Sequence, residues 1–193
     1  MATNSSSGGF LSPSLSPAPL EGDALNDFFH DWFLGLTGFV GDRIRPRWQP
    51  DPPNIPEEGV DWLAFGVHDG KADVNAAELH NPSGTGYNEF RRHEELSVKV
   101  SFYGPNARRT AGSVRDASAI AQNREVLSLN SFGLIECGSI ASFPEMIKQK
   151  WYNRADMHIR FRRQIVRHFD VQNLVAADIV INTLTETVAI STN

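Results

Sequence analysis

Leu96-Ser97-Val98-Lys99-Val100-Ser101-Phe102 alternates apolar and polar side chains without a break. A period of two puts Leu96, Val98, Val100 and Phe102 on one face of a strand and Ser97, Lys99 and Ser101 on the other. A sheet covered on one side only is the natural home of such a strand. Gly104-Pro105 then stops it, and a helix is expected from near Asn106. Val114, Ala117, Ile120, Ala121 and Leu127 give that helix an apolar face, and its alanines allow close approach to a sheet. Asn123-Arg124-Glu125 marks a break, with Asn123 capping a second short helix.

Farther along, Phe132 to Ile140 reads as a strand and Pro144 as a turn. Trp151 to Phe169 is the second strong strand signal: Met157, Ile159 and Phe161 share one face, and His158, Arg160 and Arg162 the other. Arg163 interrupts the phase, which a bulge would explain. Val175 to Ile181 completes the ordered part, after which 183–193 crosses as a strand or trails as a tail.

Upstream, Val60 to Val67 is apolar on both faces and reads as a central strand. Residues 68–87 collect Gly, Asp, Asn, Pro and Ser and read as a long excursion, with a brief helical stretch at 72–79. Asp23 is placed to cap a helix in which Leu25, Phe28, Phe29, Trp32 and Phe33 recur at helical spacing. That helix should end at Gly35–Gly38 with its aromatic stripe facing the core. The expected class is α+β, with a central, mostly antiparallel or mixed sheet and helices packed on one face. Residues 21–182 are expected to form the domain. Residues 1–20, rich in Ser, Pro and Gly, carry too few apolar anchors to offset their ordering entropy and should be disordered or docked on a partner.

Arg43 to Pro56 holds five prolines in fourteen residues. Each proline removes a backbone donor and fixes φ, so an extended arm is expected, neither helix nor central strand. Arg43, Arg45 and Arg47 alternate with Ile44 and Pro46 and can share one side. Trp48 is positioned to pin the arm to the domain.

Composition narrows the function. The chain is 40% hydrophobic and 21% charged, ordinary values for a soluble globular domain. No apolar run approaches the roughly 18–20 residues of a membrane span, so no membrane association is expected. Met1–Leu20 lacks the basic start and apolar stretch of a signal peptide, so no export is expected either. Cys137 is the only cysteine, which excludes an intramolecular disulfide and a cysteine-based zinc site. Its strand-like neighbours suggest a small buried hydrophobe. The formal net charge of −5 is not that of a general nucleic-acid binder. Fourteen of the eighteen basic residues are Arg, whose planar fork suits interface carboxylates.

Catalytic and cofactor motifs are missing. Gly66-Val67-His68-Asp69-Gly70-Lys71 fails the spacing of a phosphate loop, and Gly84-Thr85-Gly86 precedes a strand instead of a helix. No nucleophile elbow is present. His68-Asp69 and His93-Glu94-Glu95 are close histidine–carboxylate sets, and neither has metal-ligand spacing. No catalytic residue, cofactor or metal is assigned. Arg154, Arg160, Arg162, Arg163 and Arg167 form the strongest local charge feature. It fits an interface with acidic neighbours, a DNA-facing patch or a solvated sheet face.

Three stretches carry a resemblance: Asp31-Trp32-Phe33-Leu34-Gly35-Leu36-Thr37-Gly38, Arg45-Pro46-Arg47-Trp48-Gln49-Pro50-Asp51-Pro52-Pro53-Asn54, and Gln122-Asn123-Arg124-Glu125. With Arg162-Arg163-Gln164 they resemble the neck/tail-terminator-like proteins of tailed phages, over about residues 24–181. The resemblance implies a non-enzymatic virion subunit, made in the host bacterial cytoplasm, that assembles into a homo-oligomeric ring, typically a hexamer. Such a ring caps the tail tube, joins it to the head-side connector and lets DNA pass without sequence-specific contact. A closed ring repeats one heterologous contact, so each subunit needs two different complementary patches. Arg43, Arg45, Arg47, Trp48, Arg160 and Arg162 are the candidate subunit-interface residues. The rival expectations are a DNA-contacting neck or packaging-channel protein, or another tail-tube, sheath or head-completion subunit.

Overall fold

In the computed structural model, residues 5–13, 19–174, 177–182 and 187–192 are described. Those parts of the 1–20 and 183–193 expectations that fall on 1–4, 14–18, 183–186 and 193 lie outside the described residues. The elements run α1 (Gly22–Thr37), a single 3-10 turn (Gly41–Arg43), β1 (Ile44–Pro46), β2 (Trp62–Ala72), β3 (Ala77–Asn81), β4 (Tyr87–Tyr103), α2 (Ala107–Ser118), α3 (Ala121–Leu129), β5 (Phe132–Cys137), β6 (Ala141–Ile147), β7 (Lys150–Phe169), β8 (Ala177–Asn182) and β9 (Thr187–Thr192). The class is α+β. The main sheet has the order β1-β2-β4-β7-β5, with β3 added to β4 and β6 to β7. β1 pairs parallel with β2, while β2, β3, β5 and β6 pair antiparallel with their partners, so the sheet is mixed.

The chain divides into two compact units, the larger of which takes in Ala18–Asn75 and Arg92–Ile165. Its core follows the alternation of β4. Val98, Val100 and Phe102 are fully buried, opposite Val67, Phe65 and Leu63 of β2, and they meet Met157, Ile159 and Phe161 of β7 in one cluster. α1 covers this face with Leu25, Phe29, Trp32 and Phe33. Phe29 packs on Phe161 at 4.9 Å between ring centroids and Phe33 on Phe65 at 5.3 Å. α1 ends at Gly38, whose left-handed φ of 67° lets its N–H reach the Leu34 carbonyl at 2.9 Å.

α2 adds Ala107, Ala111 and Val114 to the core, and α3 adds Leu127. The start of α2 is capped from outside. Asp61 accepts the Asn106 N–H at 2.8 Å and its side-chain amide at 2.9 Å. Gly104 makes that approach possible, since a Cβ there would lie 2.6 Å from the Val60 carbonyl oxygen and 2.6 Å from the Asp61 carboxylate.

Several expectations are corrected. The 68–87 excursion contains no helix; β2 continues through Ala72 and β3 follows. β3 is almost wholly exposed, so it has no buried face to give it a period. Pro144 lies inside β6, an outer strand where a missing N–H costs no ladder bond. The helix break comes at Ala119–Ile120, with Ile120 at the cap position and more than half exposed. Asn123 instead sits inside α3 and donates its amide to the Ala117 carbonyl at 2.9 Å. The β7 alternation is not broken at Arg163, which is buried in phase with Phe161 and Ile165. The register shifts lie elsewhere, in β2 between Val67 and Asp69 and in β5 between Leu134 and Glu136.

The smaller unit comprises the described parts of Met1–Pro17, Ala76–Arg91 and Val166–Asn193. The loop joining β3 to β4 is clamped by Asn173, whose N–H binds the Thr85 carbonyl and whose amide binds that of Pro82. His80 bridges Asn88 at 2.7 Å and Asn173 at 2.8 Å. Ser5 donates its N–H to the Asp170 carbonyl and accepts from Gln172. β8 and β9 form a separate two-stranded antiparallel sheet.

Candidate assembly surfaces

The larger unit offers three distinct surfaces. The first is the sheet face opposite the helices. Alternation places Ser97, Lys99, Ser101 and Tyr103 of β4 there, with Arg154, Asp156, His158, Arg160 and Arg162 of β7. Its charges pair within the chain. Arg160 donates to Glu136 at 2.8 Å and lies 3.6 Å from Glu95, and Arg162 lies 3.7 Å from Asp73. Both arginines keep about half of their side chains exposed. Arg154 is held more tightly, forked onto Asp156 through two bonds of 2.7 Å and reaching Glu145 at 3.0 Å.

The hydrogen bonds to Asp156 hold the Arg154 guanidinium above its ordinary range, against the effect of burial. Burial opposes the Asp156 charge. Hydrogen bonds from Arg154 and Ser101 and the charges of Arg154 and Lys99 outweigh it, and the carboxyl sits below its usual range. Arg163, from the same run of arginines, points the other way. It binds Glu94 and Glu21 at 2.6 Å and the Leu20 carbonyl at 2.6 Å, tying the entry of α1 to the sheet.

The second surface is the proline-rich arm. Arg43 ends the 3-10 turn and Arg45 lies in β1. The Arg45 guanidinium packs on the Trp62 ring and donates to the Asp42 carbonyl at 2.8 Å and the Asn54 carbonyl at 2.5 Å. Burial lowers its pKa from the ordinary value, and Asp42 partly offsets this. Arg47 binds the Ser101 hydroxyl at 2.5 Å. Beneath the arm lies a small second core of Trp62, Tyr103 and Tyr152, with Trp62 stacked on Tyr103 at 4.2 Å and Tyr152 reaching the Pro56 carbonyl. Trp48 lies against Gly66, where an added Cβ would come within 2.5 Å of its ring, yet the indole is 70% exposed. Arg45 and Arg47 therefore shape the arm from within, and Trp48 lies over Gly66 with most of its surface exposed.

The third surface was not visible in the sequence. α1 and α3 enclose a groove of about 570 Å³ floored by Phe28, Trp32 and Leu36 and rimmed by Asp31 and Glu125. The Trp32 indole N–H crosses to the Asn123 carbonyl at 3.0 Å and joins its two walls. Leu129 stands at its edge, 80% exposed.

The larger unit thus presents a charge-paired sheet face, a packed arm and a groove between two helices. A family model for the phage neck terminator protein matches residues 23–186. The chain belongs to this family. Neck terminators are structural proteins of the phage particle, which fits a fold whose distinctive features are surfaces. No curated protein matches the chain.

Two of the three stretches that carried the resemblance meet at one place in this neck terminator. Asp31, Trp32, Gly35 and Leu36 form one wall of the groove, and Gln122, Asn123 and Glu125 form the other. The third stretch is the arm. The histidine sets do not converge on a ligand position. His93 faces Asp73 at 3.5 Å, Glu94 turns to Arg163 and Glu95 to Arg160. Among the described residues no group of three or more His, Cys, Asp or Glu could hold a metal ion, and no helix is long and apolar enough to cross a membrane.

Proposed function

We propose that this neck terminator forms a closed homo-oligomeric ring, a hexamer, that caps the tail tube and joins it to the head-side connector. In this reading residues 21–182 form the ring body, 1–20 are a disordered or partner-docking tail and 183–193 a terminal strand or tail. DNA passes through the ring without sequence-specific contact. The observation that carries this reading is the dissimilarity of the surfaces on one body: a charge-patterned sheet face and an apolar helix groove. A ring repeats one heterologous contact, which needs two patches of different character.

Of the six interface candidates, Trp48, Arg160 and Arg162 supply exposed contact surface. Arg43, Arg45 and Arg47 contribute through the form of the arm. The pairing of Arg154, Arg160, Arg162 and Arg163 with carboxylates favours protein contacts over a DNA-binding patch, because a duplex needs cationic charge that is not already matched. Electron microscopy of the purified protein tests the reading. Rings of about six subunits are expected, and a persistent monomer refutes it. Arg160→Glu with Arg162→Glu should lower the oligomer mass in light scattering while circular dichroism shows the fold intact; a modest fall in melting temperature is expected, because the new carboxylates face Glu136, Glu95 and Asp73. Unchanged mass removes these two residues from the interface, and salt-dependent duplex binding by the wild type would support the DNA-contacting alternative.

A further inference from the structure

The hairpin joining β6 to β7 turns through Lys148 and Gln149, both left-handed, at φ of 49° and 64°. Two-residue turns of this kind favour Asn-Gly, because side chains with a Cβ are strained there. Lys-Gln at these positions retains strain that Asn-Gly would relieve. Behind its polar tip the hairpin exposes large apolar side chains. Met146 and Trp151 are cross-strand partners, 55% and 60% exposed, with Lys148 and Lys150 beside them; the exposed Lys150 ammonium lies 3.9 Å from Glu58 and can exchange that partner.

The groove between α1 and α3 has the opposite character. Its floor is aromatic and aliphatic and its rim carries Asp31, which meets the His30 ring at 3.1 Å, and Glu125; none of its lining residues is Lys, Arg or His. Hairpin and groove cannot meet within one molecule. Trp151 is ten residues along β7 from Phe161, which packs against the groove residue Trp32 at 5.4 Å. At roughly 3.3 Å per residue the two features lie about 33 Å apart along an extended strand.

We infer that the β6–β7 hairpin of one copy docks in the α1–α3 groove of the next, with Trp151 and Met146 against the apolar floor and Lys148 and Lys150 against Asp31 and Glu125. The occupant is a second copy of this chain because the complementary shape, polarity and charge stand on the same body. One patch inserting into a different patch gives the head-to-tail contact that a ring repeats. This inference rests on the ring reading and assigns its principal contact.

The test uses the full chain and two variants at exposed positions, Trp151→Ser in the hairpin and Leu129→Asp in the groove. Each should weaken self-association about thirtyfold or more, the scale of a central interface residue, with the fold of the subunit unchanged by circular dichroism. Mixed together, the two variants should form a 1:1 heterodimer that grows no further, because one intact hairpin meets one intact groove. Lys148→Glu with Lys150→Glu should also weaken assembly, and Asp31→Lys with Glu125→Lys should restore it when the two proteins are mixed. Variants that assemble like a ring-forming wild type overturn this contact and leave the ring reading standing. A wild type that stays monomeric at all concentrations overturns both.

Discussion

Replacing Arg163 with Met tests whether the buried cation fastens α1 to the sheet. Only about 5% of the Arg163 side chain is exposed, and its donors serve three acceptors at 2.6 Å. These are not equal. Glu21 is 60% exposed, so water can replace much of what it loses, and that pair contributes no more than about 1 kcal/mol. Glu94 is only 21% exposed and would be left as a largely buried, uncompensated carboxylate, which costs about 3–5 kcal/mol. The Leu20 carbonyl would lose a charged donor, about 1–3 kcal/mol if no water reaches it. The three losses share one side chain and overlap, so Glu94 sets the expected total at about 3–5 kcal/mol. At about 2–4 °C per kcal/mol for a chain of this size, the melting temperature should fall by roughly 6–20 °C. Urea unfolding followed by tryptophan fluorescence, with the m-value checked for constancy, measures the loss. Adding Glu94→Met to Arg163→Met should recover most of it, giving a coupling of about 1 kcal/mol or more in a double-mutant cycle. A loss below about 1 kcal/mol, or strictly additive single variants, would falsify the fastening role.

Gly66→Ala should lift the Trp48 indole from its seat at a cost of about 1–3 kcal/mol, seen as a shift in tryptophan emission and a lower melting temperature. Gly104→Ala should cost more, about 2–5 kcal/mol, because its φ of 108° is strained for alanine and the clash is with backbone; equal losses at the two glycines would contradict this ranking. Asp156 has a folded pKa below its unfolded value, so the stability it contributes is present above the ordinary carboxylate range and is lost as pH falls through the folded pKa. Asp156→Asn should therefore reduce stability at neutral pH and flatten its decline towards acid; an unchanged acid limb in urea titrations across pH would count against the assignment. Burial raises the Cys137 thiol pKa against the lowering effects of Ser118 and Arg115, so alkylation at pH 8 should be much slower in the native protein than in urea. Equal rates would show that the thiol is not held back.

The fold was legible wherever a strand has one buried face. β4 and β7 announced themselves because helices cover one side of the sheet, so burial follows the period of the backbone. β3 and β6 were hidden because outer strands with little burial impose no alternation and tolerate proline. Arg163 was misread because a charge in an apolar series looks like a phase error. Its acceptors, Glu94 and Glu21, are 69 and 142 residues away in the chain. Of the candidate residues, Arg160 and Arg162 were placed correctly on the polar face by alternation alone. The packing of Arg45 and Arg47 against Trp62 and Ser101 was not legible, since it depends on how the arm crosses the sheet. The groove needed Trp32 and Asn123 brought together across 91 residues, and no local pattern encodes that.

The surfaces also differ in what each can give to assembly. The arginines of the sheet face already have carboxylate partners, so docking a neighbour there exchanges one set of ion pairs for another and strips water from both. Such exchanges come close to balance in free energy, while mismatched charges are repelled. The sheet face is thus suited to setting register and rejecting wrong neighbours. Trp48, Trp151, Met146 and the floor of the groove have no comparable loss to offset, because removing apolar surface from water is favourable at about 25 cal/mol per Å². Two aromatic rings alone bury about 150–250 Å² each, enough for central anchors though short of the roughly 800 Å² per partner of a stable interface. In the proposed ring the rest of that area would come from the polar sheet face and the arm. A ring built this way draws its affinity from a few apolar insertions and its geometry from charge, so a subunit can be rejected on charge before its hairpin is seated.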